Sequence, residues 1–183
     1  MRPNWFIGFP VDWESWHETV ITNVPAGIKC LSPVDLHVTF AFFGAVGEEN
    51  ARRAWDEMKE RVFPAFGVSL GPMELFGDPD KPSAYALTLE KGRENAISCM
   101  QTHRDHLLSV AGSSPEKYKP RPHITIARPP RSASDTLRLA GESWALSVTP
   151  PDTQFNLDKL ALYTWADDRS VQQFKIVSTL KLD

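Results

Sequence analysis

Leu36-His37-Val38-Thr39-Phe40-Ala41 and Pro122-His123-Ile124-Thr125-Ile126-Ala127 carry one pattern, His-apolar-Thr-apolar-Ala, and each follows a proline-containing loop. Apolar residues alternating with polar ones over this length predict a strand in each case. Residues i and i+2 of a strand lie on one face, with Cα atoms about 6.6 Å apart. His37 and Thr39 therefore share one face, and Val38 and Phe40 the other. The second copy divides in the same way. A single polar pair backed by an apolar pair is what any half-solvated antiparallel sheet supplies. Two copies with the same trailing alanine point to a common use of the polar faces.

Outward from these strands, the chain reads as mixed helix and sheet. Residues 4–10 are aromatic and β-branched and end at Pro10, a first strand. Asp12 is placed to cap a helix with Trp16 and Val20 on one face. Residues 23–35 hold two prolines and a glycine and read as loop. A helix is predicted over 48–63, with Ala51, Trp55, Met58 and Val62 inward. Strands over 66–76 and 83–90 are joined by Gly-Asp-Pro-Asp-Lys-Pro. A second long helix spans 93–111, with Ile97, Met100, Leu107 and Ala111 inward and Gly112 past its end. A short helix is placed near 133–140, and three strands from Trp144 to Leu182. The fold class expected is α+β with a largely antiparallel sheet, in one domain over residues 1–183.

Composition narrows the function. The chain is 42% hydrophobic and 23% charged, as in an ordinary globular protein. A net charge of -3 argues against a protein that coats duplex DNA, whose binding rests on many phosphate contacts. A small anion or a single RNA end needs only local positive charge. Cys30 and Cys99 show no Cys-x-x-Cys spacing and read as reduced and structural. The start lacks the apolar run of a signal peptide, and no segment approaches the roughly 20 apolar residues of a membrane span. A cytoplasmic monomer is the expectation.

Two His/Thr pairs have a chemical use. Cleaving a phosphodiester needs one group to take a proton from the attacking oxygen and another to give a proton to the leaving oxygen. Histidine serves both, with an ordinary pKa of about 6.5. The imidazoles must flank one phosphorus for in-line displacement. The threonine hydroxyls can then bond the non-bridging oxygens and stabilise the growing charge. This chemistry calls for no metal and no cofactor. His103-x-x-His106 has helical i,i+3 spacing but no third ligand in the sequence, so it is not read as a metal site.

The motifs resemble those of the two-histidine (2H) phosphoesterase superfamily, and within it the RNA 2′,3′-cyclic phosphodiesterases, also called 2′-5′ RNA ligase-like proteins. The resemblance is carried by Asp35-Leu36-His37-Val38-Thr39-Phe40 with Phe43-Gly44, and by Pro122-His123-Ile124-Thr125-Ile126-Ala127-Arg128. It implies two similar lobes, each mixing helices with antiparallel sheet, around a central cleft. It also implies that His37, Thr39, His123 and Thr125 are catalytic, opening a nucleoside or RNA 2′,3′-cyclic phosphate to a 2′-phosphate. Many bacterial members have a basic residue where this chain has Ala41, so one phosphate contact is missing. The sequence leans towards His123 as base and His37 as acid, with a bell-shaped pH–rate profile centred near neutrality.

Further residues are candidates for substrate binding. Lys117, Lys119, Arg121, Arg128 and Arg131 form a basic stretch with no acid within it, a solvated loop or a funnel for an RNA end. A regular strand turns Arg128 away from His123, whereas a bend at Pro129-Pro130 returns it to the cleft; the sequence leaves both open. Trp5, Phe42, Tyr118 and Trp165 are candidates to stack a base. Competing readings are a nucleotide-binding module without turnover, and a phosphodiesterase for 2′-5′ oligonucleotides, RNA 3′ tails or ADP-ribose cyclic phosphates.

Overall fold

Among the described residues, nine strands are interspersed with four helices, and every strand pairing is antiparallel. The computed structural model describes all residues except Met1, Glu14, Ser15 and Val62. The strands are β1 (Trp5–Pro10), β2 (Lys29–Cys30), β3 (His37–Gly44), β4 (Phe66–Asp78), β5 (Lys81–Leu89), β6 (His123–Arg128), β7 (Gln154–Leu157), β8 (Lys159–Trp165) and β9 (Phe174–Lys181). The helices are α1 (His17–Val20), α2 (Glu48–Lys59), α3 (Arg93–Val110) and α4 (Asp135–Ser147). The strands form one sheet in the order β7-β4-β5-β6-β3-β1-β8-β9, with β2 added on β6.

The two motif strands, β3 and β6, lie side by side at the middle of this order. Three further strands extend outward from each. One core runs beneath both halves. Val38 and Phe40 of β3, Ile124 and Ile126 of β6, Trp55 and Met58 of α2, Leu107 of α3 and Trp144 of α4 are all buried in it. The helices thus cover one face of the sheet, and the polar faces of both motifs look out of the other. Among the described residues, no helix is long and apolar enough to cross a membrane.

Three expectations need correction. The last helix runs to Ser147, so the terminal strands begin at Gln154 and not at Trp144. Trp144 is a buried helix residue whose indole N–H donates to the Thr22 carbonyl at 3.1 Å. Gly141, inside the helix, lets it approach β5. A Cβ there would sit 2.5 Å from the Tyr85 hydroxyl and 2.9 Å from Ile28. Next, α1 is a single turn with Trp16, not Asp12, at its N-cap. Finally, the supposed loop 23–35 supplies β2 and a 3₁₀ turn over Pro33–Asp35. Val62, predicted to face inward from α2, lies outside the described residues, and α2 ends at Lys59.

Candidate active site

The seam between β3 and β6 builds the site. A single registered pair, Val38 opposite Ile124, joins the two strands. In an antiparallel pair this register sets His37 across from Thr125 and Thr39 across from His123. Each threonine therefore faces the other strand's histidine. Upstream of that pair, the 3₁₀ turn at Pro33–Asp35 interrupts the ladder between β2 and β3. Leu31 resumes contact with β6, its N–H donating to the Ile126 carbonyl at 2.8 Å.

The two imidazoles are held alike. The Nδ1 of His37 lies 2.6 Å from the Asp35 carbonyl, and that of His123 lies 2.6 Å from the Arg121 carbonyl. A carbonyl only accepts, so in each ring Nδ1 carries the proton and donates, and Nε2 is left as the acceptor. The two rings thus have the same tautomer, fixed by a carbonyl two residues upstream. Among the described residues, neither threonine hydroxyl is engaged by another protein group.

Their surroundings differ. His37 sits in an aromatic box of Phe6, Tyr163 and Phe174, with ring centroids 4.7, 5.3 and 5.4 Å away. Burial there pushes its pKa down to about 4. The hydrogen bond to Asp35 opposes that shift, and the charges of His123 and Arg128 add to it. His123 instead stacks on Phe76 at 4.0 Å. Burial lowers its pKa too, as do the charges of Arg121 and Arg128; the hydrogen bond to the Arg121 carbonyl and the Glu74 carboxylate work the other way. Each imidazole responds to Arg128, and His37 responds to His123, so the three groups share one space.

Twin bulges explain how Arg128 comes to be there. Ile7 pairs with Ala41 but Gly8 with Thr39, which leaves Phe40 as an extra residue in β3. Tyr85 pairs with Ala127 but Ala86 with Thr125, which leaves Ile126 extra in β6. Each bulge falls three residues after the histidine. It places two successive apolar residues on the core face, Phe40-Ala41 and Ile126-Ala127, all at 1% exposure or less. The next residue of each strand then turns to the cleft. In β3 that residue is Phe42, 45% exposed and stacked beside Phe6 at 6.4 Å. In β6 it is Arg128. The return of Arg128 thus comes from the bulge and not from the prolines beyond it.

A model of the 2′-5′ RNA ligase superfamily matches residues 24–169, a stretch that contains both motifs. The chain belongs to this superfamily. It is 28% identical over 139 residues to the RNA 2′,3′-cyclic phosphodiesterase of Bacillus subtilis, covering 70% of this chain and 72% of that one. It is 30% identical over 132 residues to the protein of the same name from Methanothermobacter thermautotrophicus, covering 68% of each. Escherichia coli LigT, solved with 3′-AMP, superposes with a TM-score of 0.76 at 17% identity over 100% of this chain and 99% of LigT. The fold is therefore shared, as the sequence motifs implied.

As a superfamily member the chain keeps its His/Thr pairs together but scatters several residues that the sequence nominated. Trp5 is buried on the helix-covered face and does not line the cleft. Trp165 is covered by the Arg169 guanidinium, 4.2 Å from its ring centre. Lys119 and Tyr118 are exposed on the loop before β6, Tyr118 at 78%. Neither side chain makes a hydrogen bond, ion pair or ring contact with a described cleft residue. Arg121 does reach the site, but Glu74 holds it at 2.7 Å and it lies 4.4 Å over the Phe76 ring. The basic stretch, free of acid in the sequence, acquires one in space. His106 pairs with Glu57 at 3.3 Å and His103 stacks near Phe63.

The sequence reading missed the residues that support the histidines. Asp35, with no exposed surface, accepts backbone N–H groups from Gln173 at 2.8 Å and Phe174 at 2.9 Å. It thereby ties the start of β9, and the Phe174 wall, to the carbonyl that orients His37. Gly8 lies under the same ring. A Cβ there would stand 2.9 Å from the Val38 carbonyl oxygen and 3.5 Å from the His37 ring. Backbone must move to relieve the first contact, so Gly8→Ala is expected to cost about 1–3 kcal/mol. The midpoint of urea denaturation measures this; an unchanged midpoint would mean that β1 and β3 have more slack than their contact suggests.

Proposed function

We propose that this chain hydrolyses the 2′,3′-cyclic phosphate of an RNA end or small nucleotide to a 2′-phosphate, using His37 and His123 as its proton-transfer pair. The observation that carries the reading is the matched pair of imidazoles. Both have Nδ1 committed to a backbone carbonyl, both present Nε2 for proton exchange, and both feel Arg128. The names of the curated relatives support the same substrate class.

The roles follow from the two environments. The apolar box disfavours the imidazolium of His37, and the charges of His123 and Arg128 add to that; a resting neutral ring is a base. Glu74 stabilises a protonated His123, which makes that ring the better acid. This reverses the leaning of the sequence. His37 Nε2 takes a proton from water as its oxygen attacks phosphorus. The P–O3′ bond breaks, His123 delivers a proton to O3′, and the phosphate stays on O2′. Thr39, Thr125 and Arg128 stabilise the non-bridging oxygens as charge builds on them. Phe42, exposed beside Phe6, offers a face to the nucleobase, a stack worth about 1–3 kcal/mol.

The test is product analysis on nucleoside 2′,3′-cyclic phosphate with excess chelator. The expected product is the 2′-phosphate alone, formed at an unchanged rate. A 3′-phosphate, or loss of turnover on chelation, would refute the assignment.

A further inference from the structure

Lys29 stands in register with Arg128. β2 pairs with β6 through Lys29 opposite Arg128 and Cys30 opposite Ala127. Residues directly opposed in an antiparallel pair project to the same face, with Cβ atoms about 5 Å apart. Ala127 faces the core and Arg128 the cleft, so Lys29 shares the cleft face with Arg128. Like charges set directly opposite each other destabilise a sheet. Here nothing offsets them: among the described residues, no carboxylate lies within ion-pair distance of either. The neighbouring cleft cation, Arg121, does have such a partner in Glu74. An unneutralised, in-register pair of cations at the end of a phosphate cleft is a place for anionic ligand. Arg128 ends β6, five residues past His123, and Lys29 pairs with it there, so Lys29 sits at the end of the strand away from His123.

We propose that Lys29 binds the phosphodiester on the 5′ side of the nucleotide carrying the cyclic phosphate, and so makes an oligonucleotide end a better substrate than a mononucleotide. This rests on the hydrolytic reading above and goes beyond it by naming a residue that separates the two substrates. A mononucleotide cyclic phosphate has no second phosphate to offer. An RNA 3′ end does, and that phosphate relieves the repulsion between Lys29 and Arg128.

The experiment compares wild type, Lys29→Gln and Lys29→Arg on adenosine 2′,3′-cyclic phosphate and on a fluorescein-labelled RNA hexamer ending in a 2′,3′-cyclic phosphate. Lys29→Gln is expected to lower kcat/KM for the hexamer about five- to tenfold, mainly through KM, and to leave the mononucleotide within about twofold. Lys29→Arg restores the hexamer. Melting temperature should not fall in Lys29→Gln, since one of two opposed cations has gone. An equal loss on both substrates, or none on the hexamer, overturns the proposal. Fluorescence anisotropy with the same hexamer ending in a 3′-phosphate separates the two readings. If wild type turns over neither substrate, the hydrolytic reading fails, and binding still decides the role of Lys29. A loss of about fivefold in affinity, with a salt slope shallower by about 0.7, supports it. Unchanged affinity and slope overturn it.

Discussion

Replacing either histidine by asparagine is expected to lower kcat/KM on a 2′,3′-cyclic phosphate by about 10²–10⁴-fold, the usual contribution of a positioned acid or base. The two variants should then behave differently on a nucleoside 2′-(4-nitrophenyl phosphate). Its leaving group departs as a stable phenolate and needs no proton. His123→Asn, which lacks the acid, should recover to within about tenfold of wild type on that ester. His37→Asn still lacks a base for water and should stay impaired. The asymmetry rests on Glu74 beside His123 and on the aromatic box around His37. Recovery of His37→Asn in place of His123→Asn would restore the opposite assignment. Losses under tenfold for both variants on the cyclic phosphate would remove the two-histidine mechanism altogether.

The site's centre was legible because strand geometry needs only spacing. His-x-Thr at i and i+2 fixes a shared face whatever the rest of the fold does, and two copies required two strands with a common outlook. The rest of each motif was harder to read. Strict alternation puts Phe42 with Val38 and Phe40 on the core face, and it turns Arg128 away from His123. The bulges at Phe40 and Ile126 reverse both. A signal was present: in each copy an apolar residue and an alanine follow the threonine in succession, which breaks a two-residue period at the same offset. Two breaks at matched positions mark a built feature of the strands.

Elements set by local pattern came out close to their observed limits. Strands β1, β3, β4, β5 and β6 and helices α2 and α3 combine a clear period with Gly or Pro punctuation. The misses needed tertiary information. The last helix was placed near 133–140, yet it continues through Gly141, whose missing Cβ is what allows α4 to pack on Tyr85 and Ile28. Lys29–Cys30 sits among prolines and shows no period; it becomes a strand only because β6 offers a free edge. Asp35, Glu74 and Phe174 were invisible as site residues for a similar reason. Asp35 meets Phe174 across 139 positions, and Glu74 meets Arg121 across 47. Sequence spacing carries no trace of either meeting.

The pH dependence should move off neutrality. The sequence alone predicts a profile centred near pH 7, from two ordinary imidazoles. In the fold both are shifted down, His37 to about 4 and His123 in the same direction, chiefly by burial. The free protein must hold one proton on the pair to react, on the acid and not on the base, and the pair titrates as a coupled unit. That proton is lost at a pH below the ordinary 6.5, and kcat/KM should then fall tenfold per pH unit, about a hundredfold between pH 6.5 and pH 8.5. The maximum should lie on the acid side of 6.5. A bound phosphate anion favours the protonated pair, so kcat should decline at higher pH than kcat/KM does. Stability runs the opposite way. His37 has a folded pKa below its unfolded value, so the unfolded chain binds more protons between about 6.5 and 4. The stability it contributes is full above 6.5 and is lost as pH falls through that window, up to about 3 kcal/mol. His37→Asn should therefore flatten the fall in melting temperature between pH 7.5 and pH 4.5 while impairing turnover. A kcat/KM plateau extending past pH 8 would mean that His123 keeps its proton despite its burial; an acid-side melting curve untouched by the His37 substitution would mean that the aromatic box does not hold His37 neutral, and the assignment of His37 as base would go with it.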